Sequence, residues 1–102
     1  MDKIEVINKI RQYSILLKNH FDVDKIYLFG SYAKGTNRVD SDIDVAIVVN
    51  SLKGDFFSTI PLLWKLRRQI DDRIEPILIE KYNDSSGFLE AIQKNGIEIG
   101  EV

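Results

Sequence analysis

The sequence predicts a single small domain of the α/β (α+β) class, in which helices pack on a mixed β-sheet. Three apolar runs have the length of buried strands, and segments with helical periodicity alternate with them. The runs are Lys25–Phe29, Val45–Val49 and Arg73–Ile79. A chain of 102 residues, of which 44% are hydrophobic, has the size of one domain with a modest core. We therefore expect one domain over residues 1–102.

The composition excludes several classes of function. The chain has no cysteine, which excludes disulfides and thiol chemistry. Its net charge of −2 provides no overall basic field that would attract a nucleic acid. The N-terminal segment is charged, unlike a signal peptide, and no apolar run has the length of a membrane span. We expect a cytoplasmic protein without a membrane partner.

The N-terminal segment is predicted to form an amphipathic helix. Its apolar residues recur at spacings of four, three and four, and they are Val6, Ile10, Tyr13 and Leu17. Asp2 stands where it could cap the first turn. The apolar stripe is expected to pack against the sheet.

The most informative stretch joins the first two strands. The first strand, Lys25–Phe29, leads directly into Gly30 and Ser31. A short helix and a polar loop follow, and Asp42 and Asp44 then open the second strand. Glycine permits unusual dihedral angles and the close approach of a ligand. Ser31 could cap the short helix, whose exposed N–H groups would attract phosphate.

The two aspartates are expected to project together, because residues i and i+2 of a strand share a face. Adjacent carboxylates repel one another unless a cation or a proton compensates. Mg²⁺ prefers oxygen ligands and completes its shell with water and phosphate. Gly-Ser alone is an ordinary turn and Asp-x-Asp alone is a weak signal, but their order along the chain is specific. The stretch therefore predicts chemistry on a nucleoside triphosphate.

A long helix is predicted to follow the second strand. After a loop at Asn50–Asp55, it is expected over about Phe56–Asp71, with Ser58 or Thr59 as its cap and Pro61 in its first turn. The helix carries a basic cluster, Lys65, Arg67 and Arg68. We interpret the cluster as a solvated face. The alternative is a contact with a partner or with a triphosphate.

The third strand carries a further acid. A right-handed crossover would place Arg73–Ile79 beside the second strand. Glu75 is the single acid in this run, and burying an unpaired charge is costly, so it should have a partner. The partner could be the metal site or, in an ordinary ion pair, Arg73. Pro76 lacks a ladder donor, so the strand is expected to lie at an edge or to bulge.

The C-terminal segment is predicted to be structural. Turn residues at Asn83–Ser86 should lead into a last helix near Ser86–Asn95, which Gly96 would end. Ile97 and Ile99 are expected in a short closing strand.

Residues 30–49, GSYAKGTNRVDSDIDVAIVV, resemble the signature of the nucleotidyltransferase superfamily shared with DNA polymerase beta. They are most similar to the minimal nucleotidyltransferases (MNT). The motif covers about a fifth of the chain, and the element order on either side also matches. The resemblance implies the nucleotidyltransferase fold, a small mixed sheet flanked by helices, and transfer of a nucleoside monophosphate from a triphosphate.

The same resemblance implies roles for particular residues. Gly30 and Ser31 would lie at the phosphates of ATP. Asp42, Asp44 and Glu75 would be the catalytic residues and the ligands of two Mg²⁺ ions. The family usually has aspartate at the place of Glu75, so this side chain is longer by one methylene. Position 32 is often arginine in relatives and is tyrosine here, which leaves the basic partner of the phosphates open.

The resemblance also implies a partner. Minimal nucleotidyltransferases typically accompany a small helical HEPN protein, a ribonuclease toxin, and the implied activity is that of an antitoxin that transfers AMP to a tyrosine of the toxin. The acceptor would come from another chain, or a dimer would complete the site, so a homo- or hetero-oligomer is expected. One alternative is a binding antitoxin of the same fold without catalysis. Another is transfer to a small molecule such as an aminoglycoside.

Overall fold

The computed structural model describes residues 1–52, 56–83 and 86–100. In these ranges helices and strands alternate, and the predicted α/β class is confirmed. The helices are α1 (Lys3–Lys18), α2 (Gly30–Lys34), α3 (Phe56–Arg67) and α4 (Phe88–Asn95). The strands are β1 (Val23–Phe29), β2 (Ile43–Val49), β3 (Ile74–Glu80) and β4 (Ile97–Glu98).

The strands form one mixed sheet in the order β3-β2-β1-β4. β1 pairs antiparallel with both β2 and β4, and β2 pairs in parallel with β3. Since α3 connects the two parallel strands, the segment is a β-α-β crossover unit. The prediction that the third strand lies beside the second is confirmed, as is its place at the edge of the sheet. Pro76 lies inside this edge strand, opposite Val45.

The core has one layer on each face of the sheet. The larger layer joins α1 and α3 to one face, and the four apolar residues predicted for α1 all belong to it: Val6, Ile10, Tyr13 and Leu17. Tyr13 also donates a hydrogen bond of 2.8 Å from its hydroxyl to the Leu63 carbonyl, which links the two helices. The smaller layer lies on the opposite face, where Ile92 of α4 packs on Tyr27, Ala46 and Val48.

The helix termini agree with the sequence in part. Asp2 caps α1 as predicted, since its Oδ1 accepts a 2.8 Å hydrogen bond from the Glu5 N–H. The predicted cap of α3 is wrong, because this helix already includes Ser58 and Thr59 and runs through Pro61. The prediction that Pro61 lies in the first turn is also wrong, because it is the sixth of the twelve residues of α3; it is exposed and has no N–H to donate to the helix at this position.

The C-terminal part of the chain follows the prediction closely. α4 begins at Phe88, two residues later than expected, and Gly96 donates its N–H to the Ile92 carbonyl as the helix ends. The short closing strand pairs with Tyr27 and Leu28. Residues 53–55 of the predicted loop and residues 84–85 of the predicted turn lie outside the described residues. In the described part of the chain no helix is long and apolar enough to cross a bilayer.

A polar network, here called the Asp71 brace and made of Lys9, Asp71 and Arg73, ties α1 to the starts of β2 and β3. Lys9 Nζ lies 2.6 Å from Asp71 Oδ2. Asp71 Oδ1 accepts a hydrogen bond of 2.8 Å from the Arg73 N–H. The Arg73 guanidinium donates to the Val39 carbonyl at 3.1 Å, and the Arg73 carbonyl accepts the Ile43 N–H at 2.8 Å. The brace therefore holds the loop that leads to Asp42.

The charge of Asp71 stabilises the fold. Burial by itself would raise the pKa of this carboxyl group. The hydrogen bonds from Lys9 and from the Arg73 N–H, with the charges of both residues, outweigh burial and hold the pKa of Asp71 below its usual range. A carboxyl with a depressed folded-state pKa contributes stability above its unfolded-state pKa. That contribution is lost as the pH falls through the folded-state pKa, which is below about 4.

We predict that Asp71→Asn lowers the free energy of unfolding at neutral pH by about 1–3 kcal/mol, because it removes hydrogen bonds to a charged group. Urea denaturation measures this difference. The gap between variant and wild type should narrow between pH 7 and about pH 3, as the wild-type carboxyl takes up a proton. Asp72→Asn, at the exposed neighbouring position, is the control and should leave the stability at pH 7 unchanged. A gap of the same size at every pH would contradict the role of charge.

Candidate active site

The parallel register of β2 and β3 brings the predicted carboxylates together. Asp44 pairs with Glu75 on one side and with Phe29 of β1 on the other. Directly opposed residues project from the same face, so these three side chains form a row across the sheet. Asp42 lies immediately before β2. Asp44 is half-buried, while Asp42 and Glu75 are exposed.

The carboxylates lie close enough to change one another's charge state. Burial, followed by the charge of Asp42, raises the pKa of Asp44. Desolvation raises the pKa of Glu75 as well, and the charges of Asp42 and Asp44 and a hydrogen bond with Asp42 raise it further. The Arg67 guanidinium acts in the opposite direction. Raised carboxyl pKa values beside like charges mark a cluster that is short of positive charge.

The chemistry of this cluster fits a hard divalent cation. All of its ligand atoms are carboxylate oxygens, which Mg²⁺ prefers. Within residues 1–52, 56–83 and 86–100, no three acidic, histidine or cysteine side chains are arranged to hold a metal ion by themselves. Mg²⁺ does not require such a cage, because it is usually bound through one or two carboxylates together with phosphate oxygens and water. Asp42, Asp44 and Glu75 are therefore suitable ligands for a metal that arrives with a phosphate.

Gly30 lies directly beneath the Asp44 carboxylate. Its φ angle is +71°, a left-handed conformation that favours glycine. A Cβ atom built at Gly30 would overlap Asp44 Oδ2 and would lie 3.0 Å from Asp44 Cγ. The site therefore needs glycine here for two separate reasons, the backbone conformation and the space that Asp44 occupies.

Ser31 lies in the first turn of α2, and the prediction that it caps this helix is wrong. The helix begins at Gly30, and the capping position belongs to Phe29, whose side chain forms no capping hydrogen bond. The chain turns from strand into helix at Gly30, which has a positive φ, and the cap lies two residues earlier than the sequence suggested. Ser31 follows directly on the backbone that contacts Asp44.

A cavity of about 320 Å³ opens beside Gly30, between α2 and α4. It is lined by Phe29, Gly30, Lys34, Phe88, Ala91, Ile92 and Asn95. Phe29 and Phe88 meet edge to face, with ring centroids 5.9 Å apart. Tyr32, at the position where relatives often have arginine, is 1% exposed and belongs to the core. Lys34 lines the cavity and provides a basic group there, whereas Tyr32 is buried in the core and provides none.

Sequence reasoning missed Arg67 as part of this region. Lys65 and Arg68 are exposed, as a solvated face requires, but Arg67 is partly buried. Its guanidinium lies over Trp64, 4.4 Å from the ring centroid. Trp64 three residues earlier on the helix was the available signal, since residues i and i+3 are neighbours on one helix face.

The proposed ion pair between Glu75 and Arg73 is not the arrangement in the structure. The Arg73 guanidinium lies 3.6 Å from Asp71 and donates to the Val39 carbonyl. The charges that act on Glu75 come from Asp42, Asp44 and Arg67. The position of Glu75 is therefore explained by its register opposite Asp44.

Comparisons with known proteins show which family the sequence matches. The family model described as polymerase beta, nucleotidyltransferase matches residues 8–101. A relative from Methanocaldococcus jannaschii, provisionally named a protein adenylyltransferase, is 30% identical over 102 residues, which cover 97% of this chain and 100% of the relative.

Solved structures give the same fold. A protein from Sulfolobus solfataricus, provisionally called a nucleotidyltransferase, superposes with a TM-score of 0.73 at 19% identity, over 97% of this chain and 83% of that one. A chain of a toxin–antitoxin complex with AMP-PNP gives 0.67 at 28% identity, over 94% and 73%. A complex of a tri-AMPylated Shewanella oneidensis HEPN toxin with an MNT antitoxin gives 0.62 at 24% identity, over 98% and 73%.

We predict that Gly30→Ala destabilises the fold and displaces Asp44, whereas Gly35→Ala only destabilises. Both glycines have positive φ, at +71° and +75°, but a Cβ at Gly35 would meet nothing within 4 Å. Each variant should lose about 1–2 kcal/mol from backbone strain, measured by urea denaturation. The loss at Gly30 should be larger, and the NMR amide shift of Asp44 should move only in that variant. Equal stability losses and an unmoved Asp44 in both variants would contradict the contact.

Proposed function

Because this chain belongs to the polymerase beta nucleotidyltransferase family, we propose that it transfers AMP from ATP to a hydroxyl group of a partner protein, with Mg²⁺ as the metal. The observation that carries the proposal is the convergence of Asp42, Asp44 and Glu75 beside the backbone of Gly30. This arrangement places acids that attract a cation next to a position where a phosphate can approach the main chain.

The phosphates of ATP are proposed to bind at the start of α2. Gly30 adds no side chain beside the Asp44 carboxylate, and the Ser31 hydroxyl that follows it is a donor of the kind that phosphate oxygens accept. Lys34 lines the same cavity as Gly30 and would supply the positive charge that the buried Tyr32 does not. Lys34 is thus our proposed basic partner of the phosphates, which the tyrosine at position 32 left open.

Asp42, Asp44 and Glu75 are proposed to hold the metal. When bound, Mg²⁺ would neutralise charge on the phosphates and lower the pKa of the acceptor hydroxyl. Asp44 is fixed by its place in the central strand β2 and by its contact with Gly30. Burial and the charge of Asp42 disfavour the ionised form of Asp44, and burial with the charges of Asp42 and Asp44 disfavours that of Glu75; a bound cation would relieve the repulsion.

The proposed transfer forms one bond and breaks another. The acceptor oxygen bonds to the α-phosphorus of ATP, and the bond from that phosphorus to the oxygen bridging to the β-phosphate breaks. Pyrophosphate leaves, and the hydroxyl proton passes to a carboxylate. Glu75 is the proposed acceptor of this proton, because it is an exposed carboxylate opposite Asp44 on the neighbouring strand.

A protein acceptor is proposed from the relatives. The Methanocaldococcus jannaschii relative is named for protein adenylylation, and the 28% identical structure is a toxin–antitoxin complex with an ATP analogue. With the sequence resemblance to minimal nucleotidyltransferases, these names support a HEPN-type toxin as the partner and a tyrosine as its acceptor. The protein would act as the antitoxin of the pair.

The decisive experiment incubates the purified chain with its co-expressed partner, ATP and Mg²⁺, and measures the intact mass of the partner. Transfer predicts an increase by whole AMP units that disappears without Mg²⁺. Asp44→Asn should abolish the increase, and Asp40→Asn, an exposed aspartate in the preceding loop, is the matched control that should retain it. A tight complex without any mass increase would contradict the enzyme hypothesis and indicate a binding antitoxin. Modification of an aminoglycoside but not of the partner would identify a small-molecule acceptor.

We further predict that Asp44→Asn stabilises the free protein at neutral pH while it removes activity. A carboxyl whose folded-state pKa is raised disfavours folding at any pH where it is ionised in the unfolded chain. The neutral amide removes that cost, so the thermal midpoint should rise in metal-free buffer. The advantage over wild type should shrink as the pH falls through the raised folded-state pKa of Asp44, and it should be lost below about 4, where the unfolded carboxyl is protonated too. A lower midpoint at neutral pH would contradict the electrostatic interpretation.

Glu75→Gln should separate nucleotide binding from transfer. Asp42, Asp44 and Ser31 remain to hold ATP with its metal, so the dissociation constant for AMP-PNP by calorimetry should change little. Transfer should fall by about 10²–10⁴-fold, the usual contribution of a positioned proton acceptor. Equal transfer by variant and wild type would remove Glu75 from the mechanism.

A further inference from the structure

Arg67 closes the turn between α3 and β3, immediately before Glu75. Its Nη1 donates to the Asp72 carbonyl and, at 2.9 Å, to the Ile74 carbonyl. Both acceptors are main-chain atoms of the segment that enters β3. The guanidinium therefore fixes the backbone on which Glu75 stands.

The position of the Arg67 guanidinium is itself restrained. Its plane lies against Trp64, with Cζ 4.4 Å from the ring centroid, so the side chain is held on one face of α3. The Arg67 Nε is buried and has no hydrogen-bond partner. The guanidinium is therefore held by the two hydrogen bonds from Nη1 and by its contact with Trp64. The main-chain carbonyl of Arg67 also accepts the N–H of Asp71 at 2.9 Å, which ends the helix at this point. A residue held this firmly can transmit its position to its neighbours.

We propose that Arg67 is a positioning residue that holds Glu75 opposite Asp44, in the place where Glu75 acts on the metal and the acceptor. This inference rests on the proposed function of the site. It assigns to Arg67 no contact with the substrate, since its two hydrogen bonds are made to the protein backbone.

The partial burial of Arg67 supports the same role. Partial burial of a guanidinium costs free energy unless its N–H groups form hydrogen bonds and its charge is compensated. Lysine would keep the charge, but it lacks the planar group that can stack on Trp64 while bonding to two carbonyls.

The test compares Arg67→Met, Arg67→Lys and the control Arg68→Met, in which the exposed neighbouring arginine is changed in the same way. Methionine keeps an apolar stem that can still cover Trp64, and lysine keeps the charge. Arg67→Lys serves as the second variant if Arg67→Met folds poorly. The protein is used as the full chain, with AMP-PNP and Mn²⁺ as probes for binding and the co-expressed partner for transfer.

The first readout does not depend on catalysis. In the wild type, Mn²⁺ with AMP-PNP should broaden the NMR amide signals of Asp42, Asp44 and Glu75. In Arg67→Met, broadening should persist at the two aspartates and weaken at Glu75, whose metal-free amide shift should also move. Arg67→Lys should show a smaller change, and Arg68→Met none. Unchanged broadening and an unchanged Glu75 shift in both Arg67 variants would overturn the inference, even if their thermal midpoints fall.

The second readout separates binding from transfer. Residues that orient a metal ligand from outside typically change activity by about 10–100-fold, and Arg67→Met should lower the rate of AMP transfer by this amount. The KM for ATP and the affinity for AMP-PNP should stay near wild type, because Asp42, Asp44 and Ser31 are untouched. A rise in KM alone would overturn the positioning role in favour of a phosphate contact. If wild type transfers no AMP, the proposed function fails, while the broadening pattern still decides the role of Arg67.

Discussion

Mutual repulsion among three carboxylates is the constraint around which this domain is arranged. Burial and then the charge of Asp42 raise the pKa of Asp44, and burial followed by the charges of Asp42 and Asp44 raises the pKa of Glu75, so their proximity costs free energy in the unliganded protein. The pairing of β2 with its neighbouring strands holds Asp44 and Glu75 in place despite this cost. Asp44 lies in a strand that is hydrogen-bonded on both sides, and Glu75 is fixed opposite it by the parallel register. The acids cannot move apart without breaking the sheet.

The surrounding polar contacts act on the segments that carry these acids. The Asp71 brace holds Val39 and Ile43, on either side of Asp42. Helix α3 ends in contacts that hold the strand before Glu75. Both sets of contacts engage main-chain carbonyls, so they restrain the backbone and leave the carboxylates free to bind. The arrangement is similar to metal sites in which residues behind the ligands fix the geometry and the ligands themselves remain accessible.

Much of the site could be predicted from the sequence because its parts are local. Gly30, Asp42 and Asp44 belong to one short stretch, and the spacing of two residues predicted that both aspartates project together, although only Asp44 lies within β2. Glu75 could be placed only through a topological rule, the crossover that brings parallel strands together. The register that sets Glu75 opposite Asp44 depends on tertiary packing, which cannot be read from the sequence.

The parts that could not be predicted depend on contacts between distant segments. Arg67 resembled Lys65 and Arg68 in the sequence, and only the folded turn places carbonyl groups within its reach. Lys9 and Asp71 are 62 positions apart, so no local pattern joins them. The contact between Gly30 and Asp44 likewise joins residues 14 positions apart, and it appears only when β1 and β2 are paired.

The edge position of β3 has a consequence for how other chains can approach the site. An open strand edge is a template for adding a further strand, which leads to aggregation or to sheet-to-sheet association. Pro76, next to Glu75, has no N–H to offer, which interrupts the row of donors that an added strand would need. Strand addition is thus disfavoured at the point nearest the carboxylates. The protein acceptor proposed above would then present its hydroxyl on a side chain that crosses the edge from a separately folded surface.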